Sequence, residues 1–262
     1  MITGGHGFIG RIIRSKLKGT VLCPTIEELD LTDHTAVQHW FSQHSIDTVI
    51  HCALTGREDL FSTDPKYTTD SLWMFRNLWR CRNQFRQLIN MGTAYELDLE
   101  QDNSLVSEDA VLDHLPMTSY GLAKNLIARI IRETDNFYNL KLFGVFHENE
   151  SPQRFFKKLL TNQQIVITKD HYMDYIYLED IVPVIEAIVN NRCVYREINM
   201  VYPEKYLLSE LAQQFAVVQG LDPSVVKISA RSQANLTGQA QRLSDLNLVL
   251  TGLTEGFRRY QQ

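Results

Sequence analysis

A tyrosine and a lysine four residues apart form a pair suited to acid–base chemistry. Tyr120 and Lys124 stand in the segment Tyr-Gly-Leu-Ala-Lys, at the start of a helical pattern. Because a spacing of four places both side chains on one helix face, the ammonium would lie near the phenol. A nearby cation lowers the pKa of a tyrosine, so Tyr120 is a candidate proton donor or acceptor. Taken alone, such a pair is also common among solvated helix residues.

A hydroxyl upstream of this pair stands where a sheet strand is expected to end. Residues 87–91 form an apolar run that leads into Gly92 and Thr93. Such a hydroxyl can hydrogen-bond a substrate carbonyl beside the tyrosine. The alternative is a turn threonine that caps a loop.

Glycines are concentrated at the N-terminus, where four of the 13 lie within the first ten residues. Gly5, Gly7 and Gly10 fit the pattern GxGxxG, and Gly4, Gly7 and Gly10 fit GxxGxxG. Such glycines make a tight strand-to-helix turn, let backbone N–H groups approach a pyrophosphate and allow close helix–strand packing. The pyrophosphate would lie at the positive end of a helix that begins near Phe8. The alternative is a glycine-rich turn without a ligand.

These motifs lie on short apolar runs that alternate with helical patterns, which is typical of βαβ units and a parallel sheet. The sequence therefore predicts an α/β protein with a Rossmann-type doubly wound parallel sheet. Strands are predicted at residues 20–23, 48–52, 87–91, 140–146 and 165–168. Helices are predicted at residues 8–17, 35–44, 71–85, 120–136 and 252–260. The first strand is expected to be very short, because three residues precede the glycines.

The texture of the sequence changes after about residue 145 and becomes richer in loops. We expect residues 1–146 to form a dinucleotide-binding core to which residues 165–192 return. Residues 147–262 are expected to form mainly a small, interleaved substrate lobe.

Composition excludes several classes of protein. The 262 residues are 44% apolar and 22% charged, which is ordinary for a globular chain. The net charge of -5 argues against a general nucleic-acid binder, which needs a basic surplus. No apolar run is long enough for a membrane span and no leader is evident, so a cytoplasmic protein is expected. The cysteines and histidines lack metal-ligand spacing, so no metal is expected.

Together, the motifs resemble those of an extended short-chain dehydrogenase/reductase. The resemblance is to the nucleotide-sugar epimerase and reductase type, similar to GDP-fucose synthase and related members of the NAD-dependent epimerase/dehydratase family. It covers nearly the whole chain in the family's order. The segments that carry it are Gly-Gly-His-Gly-Phe-Ile-Gly at 4–10, Leu-Asp-Leu-Thr-Asp at 29–33, Val-Ile-His-Cys-Ala at 49–53, Gly-Thr at 92–93, Tyr-Gly-Leu-Ala-Lys at 120–124 and Met-Asp-Tyr-Ile-Tyr-Leu-Glu-Asp at 173–180.

The resemblance implies a Thr-Tyr-Lys catalytic site. Thr93 would orient the sugar, Tyr120 would pass the proton, and Lys124 would lower the pKa of the tyrosine and bind the nicotinamide ribose. It also implies cofactor contacts from Gly4, Gly7, Phe8, Ile9, Gly10, Arg11, Asp33, Ala53, Leu54, Tyr120 and Lys124. The implied substrate contacts are Thr93, Tyr95, His147 and Arg154.

The sequence departs from the family's pattern at several positions. Ala94 and Tyr95 follow Thr93 where the family's dehydratases carry an acidic residue, which disfavours dehydration. Tyr95 also stands where the GDP-fucose synthases have a catalytic cysteine, and His147 matches their histidine only approximately. Simple ketoreduction or a different epimerisation is therefore favoured. Met173 replaces a common diphosphate-binding arginine, which makes Arg154 the expected diphosphate contact.

The cofactor is expected to be NAD(P)(H), with a lean to NADP. Residues 23–26 offer neither the carboxylate that selects NAD nor an arginine for a 2′-phosphate, whereas Arg11 is a candidate to reach that phosphate. The family usually forms homodimers through two helices of each subunit, here 71–85 and 120–136. Their candidate apolar contacts, which would alternatively belong to the chain's own core, are Leu72, Phe75, Leu78, Ile127, Ile130 and Ile131.

These expectations describe an NAD(P)-dependent ketoreductase or epimerase of a nucleoside-diphosphate (deoxy)sugar, in a context such as bacterial surface polysaccharide synthesis. The alternative is a non-catalytic sensor or structural protein that binds a dinucleotide. Retention of Thr93, Tyr120 and Lys124 favours the enzyme.

Overall fold

The computed structural model describes residues 1–55, 61–231 and 234–261. The strands are β1 (Ile2–Thr3), β2 (Thr48–His51), β3 (Gln87–Thr93), β4 (Asn103–Val106), β5 (Phe137–Leu142), β6 (Gly144–Phe146), β7 (Ile165–Ile167), β8 (Tyr175–Tyr177), β9 (Glu197–Met200), β10 (Val226–Ile228) and β11 (Leu236–Gly238). The α-helices are α1 (Phe8–Lys16), α2 (His34–Gln43), α3 (Pro65–Arg80), α4 (Ser119–Arg132), α5 (Phe155–Asn162), α6 (Ile181–Val189), α7 (Leu208–Val218), α8 (Gln241–Ser244) and α9 (Gly252–Arg258).

The chain divides into two compact units. The first unit comprises Met1–Asp98, Glu108–Lys141 and Val184–Ile198, and the second comprises Leu99–Ser107, Leu142–Pro183 and Asn199–Gln262. This division differs from the predicted domains in two respects. The second unit begins before residue 147 and includes a short insertion at 99–107. The segment that returns to the first unit is 184–198 rather than 165–192.

The first unit is built on a sheet with the strand order β1-β2-β3-β5-β9. Strand β2 pairs in parallel with both β1 and β3, so that Ile50 lies opposite Ile2 on one side and Ile89 on the other. Every residue of β3 is buried, as expected for a strand covered on both faces. The predicted α/β fold with a parallel sheet is thus confirmed.

Helices α3 and α4 contribute much of the core of this unit. Phe75 and Leu78 from α3 and Ile127 and Ile131 from α4 are all buried within it. The prediction that these four residues contact a second subunit is therefore wrong, because they pack inside their own unit. Of the other two residues, Leu72 packs partly against the core, and Ile130 is exposed.

Two predicted strands differ from the observed ones. Residues 20–23 do not form a strand, although the Ile2 N–H donates to the Leu22 carbonyl at 2.8 Å. The neighbouring strand β1 has only two residues, which limits the ladder that can form there. The predicted strand 140–146 is two strands separated at Phe143, because β5 joins the first sheet whereas β6 pairs with β8.

The described residues of the second unit form three two-stranded parallel pairs, β6 with β8, β7 with β10 and β4 with β11. Its core is rich in aromatic rings that meet at centroid distances near 5 Å, as the Phe146–Phe257 and Phe156–Phe215 pairs do. Among the described residues, no helix combines the length and the apolar character needed to cross a bilayer.

Candidate active site

Thr93 lies at the carboxyl end of β3 and begins a short 3₁₀ turn, Ala94–Glu96. Its hydroxyl accepts the Tyr95 N–H at 3.3 Å, and the Glu96 carboxylate accepts the Thr93 N–H at 3.0 Å. These reciprocal bonds form a capping box, which fixes the backbone of the turn. The structure therefore gives Thr93 the capping role foreseen as the alternative, and it holds the threonine at the end of the central strand.

Tyr120 is the second residue of α4, a helix that begins after Thr118. The Thr118 hydroxyl accepts the Gly121 N–H at 3.1 Å and so caps the helix. A Cβ placed on Gly121 would lie 2.5 Å from the Tyr95 carbonyl oxygen, so the first turn of α4 packs directly on the turn that follows Thr93. The rings of Tyr95 and Tyr120 meet edge to face with centroids 5.9 Å apart. The turn after Thr93 and the first turn of α4, which are distant in the sequence, are thus brought together in space.

Lys124 is one turn further along α4 and is 3% exposed. Its ammonium donates a hydrogen bond of 2.8 Å to the carbonyl of Met91, two residues before Thr93. Burial lowers the pKa of Lys124, and the nearby charge of Glu96 opposes that shift. The lysine is therefore attached to the same strand end as the threonine.

Two side chains from the end of β2 lie near this lysine. Burial, followed by the charge of Lys124, lowers the pKa of His51 from 6.5 to about 3, so this imidazole is neutral. Its Nδ1 lies 2.8 Å from the Thr3 hydroxyl. Burial raises the pKa of the Cys52 thiol to about 12, against the opposing effect of Lys124. Neither group carries charge at neutral pH.

Glu96 is a buried charged residue of this site that the sequence reasoning missed. It is fully buried and contacts the side chains of Asn139 and Lys141, both on β5. A signal was present, since Thr93-Ala-Tyr-Glu96 has the spacing of a capping box. Its buried partners, Asn139 and Lys141, gave no comparable signal, because a lysine in a strand pattern usually indicates a position that faces solvent.

The glycine turn at the N-terminus has the shape that a pyrophosphate requires. Gly4 has a φ of +65°, and a Cβ on it would lie 2.7 Å from the Ala53 nitrogen. A Cβ on Gly10 would overlap the Gly4 carbonyl oxygen. Helix α1 begins directly after Gly7, and neither a side-chain cap nor an acidic residue occupies its first turn. The turn therefore fits a dinucleotide, because its glycines allow a close backbone approach and the dipole of α1 favours an anion at this end.

Other predicted cofactor residues surround this turn or cap a neighbouring helix. Phe8, Ile9 and Arg11 lie in the first turns of α1, and Ala53 and Leu54 follow β2 after Cys52. Arg11 is exposed on its helix.

Asp33 caps α2. Its carboxylate accepts the N–H groups of Thr35 and Ala36 at 2.8 and 3.2 Å. This contact gives Asp33 a structural role of its own.

His147 lies in the second unit and is 1% exposed. Its Nδ1 accepts the Asn149 N–H at 3.0 Å, and its Nε2 lies 3.3 Å from a carboxylate oxygen of Glu179. Glu148 is also close, and it accepts the Tyr177 hydroxyl at 3.0 Å. Ligand atoms of the histidine and the two glutamates lie within 4.8 Å of one another.

Arg154 also lies in the second unit, at the start of α5. Its Nε lies 3.0 Å from the Glu150 carboxylate, and an Nη donates to the Val145 carbonyl. Glu150 also accepts the Tyr260 hydroxyl at 2.8 Å and the Lys157 N–H at 3.0 Å. Arg154 is thus held within a network of its own unit.

The sequence model of the NAD dependent epimerase/dehydratase family matches residues 1–200. The chain belongs to this family. Membership confirms the predicted family, an enzyme as its class and a nicotinamide dinucleotide as its cofactor. No curated protein matches the chain in the sequence search.

Solved structures with the same fold include several sugar-nucleotide enzymes. A GDP-mannoheptose C4 reductase from Campylobacter jejuni with NADP bound has a TM-score of 0.83 at 16% identity, covering 99% of this chain and 96% of that one. A dTDP-4-dehydrorhamnose reductase from Clostridium acetobutylicum has a TM-score of 0.82 at 17% identity, with 99% and 97% covered. A GDP-L-fucose synthetase from Naegleria fowleri has a TM-score of 0.79 at 15% identity, with 99% and 92% covered. At such low sequence identities, the likeness to these structures shows that this chain has the same fold.

Proposed function

We propose that the protein is an NADPH-dependent ketoreductase of a nucleoside-diphosphate (deoxy)sugar. The observation that carries this proposal is the packing of α4 on the turn after β3. One helix bears both Tyr120 and Lys124, and its first turn rests on the turn that Thr93 caps. A proton donor, a cation and a hydroxyl are therefore grouped at one strand end.

Each of the three residues has a distinct part in the reduction. The nicotinamide, when bound, supplies the hydride. Tyr120 donates a proton to the oxygen of the sugar ketone as that oxygen becomes a hydroxyl. Lys124 stabilises the phenolate that remains, because an adjacent ammonium favours the charged form of the phenol. Thr93 donates a hydrogen bond to the same oxygen and so orients the ketone.

Ketoreduction is favoured over epimerisation because epimerisation needs a further acid–base group. His147, the candidate histidine, has a hydrogen-bond partner for each ring nitrogen within its own unit. Tyr95 stands at the position of the family's cysteine, and burial raises its pKa, so this phenol keeps its proton and is not available as a base. Tyr120 therefore provides the one proton that a reduction consumes.

The charges around the predicted ribose position support NADPH rather than NADH. Residues 23–26 carry no carboxylate. The two acids that follow, Glu27 and Glu28, both hydrogen-bond Thr25, and Glu28 accepts its N–H at 2.8 Å. The charge of Arg14 acts on the Cys23 thiol, so a cation lies close to this segment. Arg11 on the same helix adds a second positive charge for a 2′-phosphate. The Campylobacter jejuni reductase of similar fold was solved with NADP bound.

In the same proposal, Arg154 contacts the diphosphate of the substrate.

The enzyme is further proposed to act in the cytoplasm as a homodimer. Trp73 on α3 and Ile130 on α4 support the dimer, because both are large apolar residues that are more than one-third exposed. Analytical ultracentrifugation of the purified protein tests the dimer, since a monomer at micromolar concentration would exclude it.

The function is tested by adding a panel of nucleoside-diphosphate 4-keto-6-deoxy sugars to the purified protein with NADPH or NADH. Nicotinamide oxidation is followed, and the sugar products are identified by NMR. Net oxidation with one sugar is the expected result. Sugar conversion without net oxidation would show an epimerase instead, and cofactor binding without conversion of any sugar would favour a sensor.

A tyrosine variant separates catalysis from binding. Tyr120→Phe should lose most of the turnover while binding NADPH as before, because it removes only the phenolic hydroxyl. Tyr138→Phe, the same change on β5, is the matched control and should keep full turnover. Full turnover in Tyr120→Phe would show that another group passes the proton.

A further inference from the structure

Glu96 places a carboxylate beneath the turn that holds Thr93. One oxygen accepts the Thr93 N–H at 3.0 Å, and both oxygens lie 3.2 Å from the side-chain nitrogen of Asn139. The ammonium of Lys141 lies 3.7 Å away. All of these partners are hydrogen-bond donors, so the site matches an ionised carboxylate. The proton of a neutral acid would find no acceptor among them.

The carboxylate of Glu96 is buried together with two lysine side chains, so its charge acts directly on both. Glu96, Lys124 and Lys141 are all 3% exposed or less. Burial raises the pKa of Glu96, whereas Lys141, the Thr93 N–H, Asn139 and Lys124 lower it. Glu96 therefore acts with two buried ammoniums, whereas His51 and Cys52, which lie near Lys124 at the end of β2, are neutral.

The lysine and the carboxylate hold opposite ends of the segment that bears the hydroxyl. Lys124 donates to the Met91 carbonyl at 2.8 Å, and Glu96 accepts the N–H of Thr93. Gly92 lies between them, and a Cβ on it would be 2.5 Å from both Glu96 and Asn139. The backbone from Met91 to Thr93 is therefore held on one side by the lysine and on the other by the glutamate.

We propose that Glu96 is a positioning residue: its carboxylate bonds the Thr93 backbone and supplies the negative charge that keeps Lys124 an ammonium beneath the reacting groups. The proposal rests on the proposed function in that it takes Thr93 and Lys124 as site residues. It goes beyond that function by adding a second buried lysine, Lys141, which competes for the same charge.

The competition predicts two shifts of opposite sign. Glu96→Gln keeps an acceptor oxygen for the Thr93 N–H but removes the charge, so Lys124 should lose its proton at lower pH. Lys141→Met removes the competing cation and leaves the carboxylate to Lys124, so Lys124 should lose its proton at higher pH. A purely structural role would lower stability in both variants without moving Lys124 in opposite directions.

The measurement is a pH titration of the protein without cofactor or substrate, with ¹³C labels at the lysine side chains and detection by NMR. The Lys124 resonance is assigned by its loss in Lys124→Arg. Glu255→Gln is the matched control, because Glu255 is a partly exposed ion-pair partner in the second unit and should leave the Lys124 midpoint unchanged. An unchanged Lys124 midpoint in folded Glu96→Gln would overturn the proposal. If that variant does not fold, Lys141→Met decides, since an unchanged or lowered midpoint there also overturns it.

Kinetics with the sugar found in the panel provide a second measurement. Glu96→Gln should lower kcat about tenfold or more, within the range that acid–base catalysis contributes, with little change in KM. The high-pH limb of its kcat profile should move to lower pH. If no sugar of the panel is reduced, the proposed function fails, yet the NMR shifts still decide whether Glu96 controls Lys124.

Discussion

The ammonium of Lys124 donates a 2.8 Å hydrogen bond to the backbone carbonyl of Met91. The lysine therefore has a structural task in addition to its proposed electrostatic one. Its bond ties α4 to the end of β3, the two elements that carry Tyr120 and Thr93. Loss of the side chain should consequently affect both activity and stability.

Replacement of this lysine tests both tasks. Lys124→Met should reduce turnover by about 10² to 10⁴, because it removes the cation beside the tyrosine. It should also lower the free energy of unfolding by about 1–3 kcal/mol, because it leaves the buried Met91 carbonyl without its donor. Turnover and urea unfolding are measured, with Lys66→Met on the exposed face of α3 as control. Undiminished turnover in Lys124→Met would exclude the proposed role.

Gly4 tests the dinucleotide turn. Gly4→Ala should abolish NADPH binding and destabilise the protein, because its Cβ would lie 2.7 Å from the Ala53 nitrogen and its φ is +65°. The backbone conformation alone costs about 1–2 kcal/mol for an L-residue. Gly220→Ala is the matched control, since Gly220 has a φ of +74° and no heavy atom within 4 Å of the added Cβ. It should show the conformational cost only and retain NADPH affinity, as measured by calorimetric titration. Equal affinities in the two variants would show that the turn does not bind the cofactor.

His51 predicts a pH dependence of stability. Burial lowers its pKa from 6.5 to about 3, so the unfolded chain binds a proton between these values that the folded protein does not. The contribution to stability is therefore present above pH 6.5 and is lost as the pH falls towards 3. Its slope is about 1.4 kcal/mol per pH unit at most. His51→Asn should show a shallower loss of unfolding free energy in urea titrations across this window. An identical slope in the two proteins would contradict the prediction.

Arg154 separates substrate binding from structure. Arg154→Gln should raise KM for the nucleotide sugar with little change in kcat, because a diphosphate contact remote from the reacting carbon acts on binding alone. Its ion pair with Glu150 also predicts a lower melting temperature. Lys158→Gln, an exposed cation on the same helix, serves as control for a general charge effect. A lower melting temperature with unchanged KM would assign the arginine to the fold only.

Much of the first unit could be predicted because its signals are local. The apolar run at 87–91 gave β3, and the pattern from Tyr120 gave α4 with its end displaced by a few residues. Helix α3 begins at Pro65, six residues before its predicted start, because its first turns are polar. The Asp64 cap followed by proline was the available signal, and the apolar period alone did not include it.

Long-range contacts account for what the sequence could not show. The burial of Lys141 and Asn139 depends on the neighbouring strands of the sheet, and no local pattern distinguishes them from surface residues. The split at Phe143 depends equally on tertiary partners, because β5 and β6 join different sheets. In the second unit, helices α5 and α7 and the networks around His147 and Arg154 escaped prediction for the same reason.

In protein engineering, Gly92, Glu96 and Asn139 have to be changed together. Any side chain in place of Gly92 would meet Glu96 and Asn139 at 2.5 Å, so it is acceptable only if those two residues become smaller. Their contributions are therefore not additive. A library that varies one of the three positions at a time will find every change harmful, whereas combined changes give access to alternative arrangements beneath the threonine.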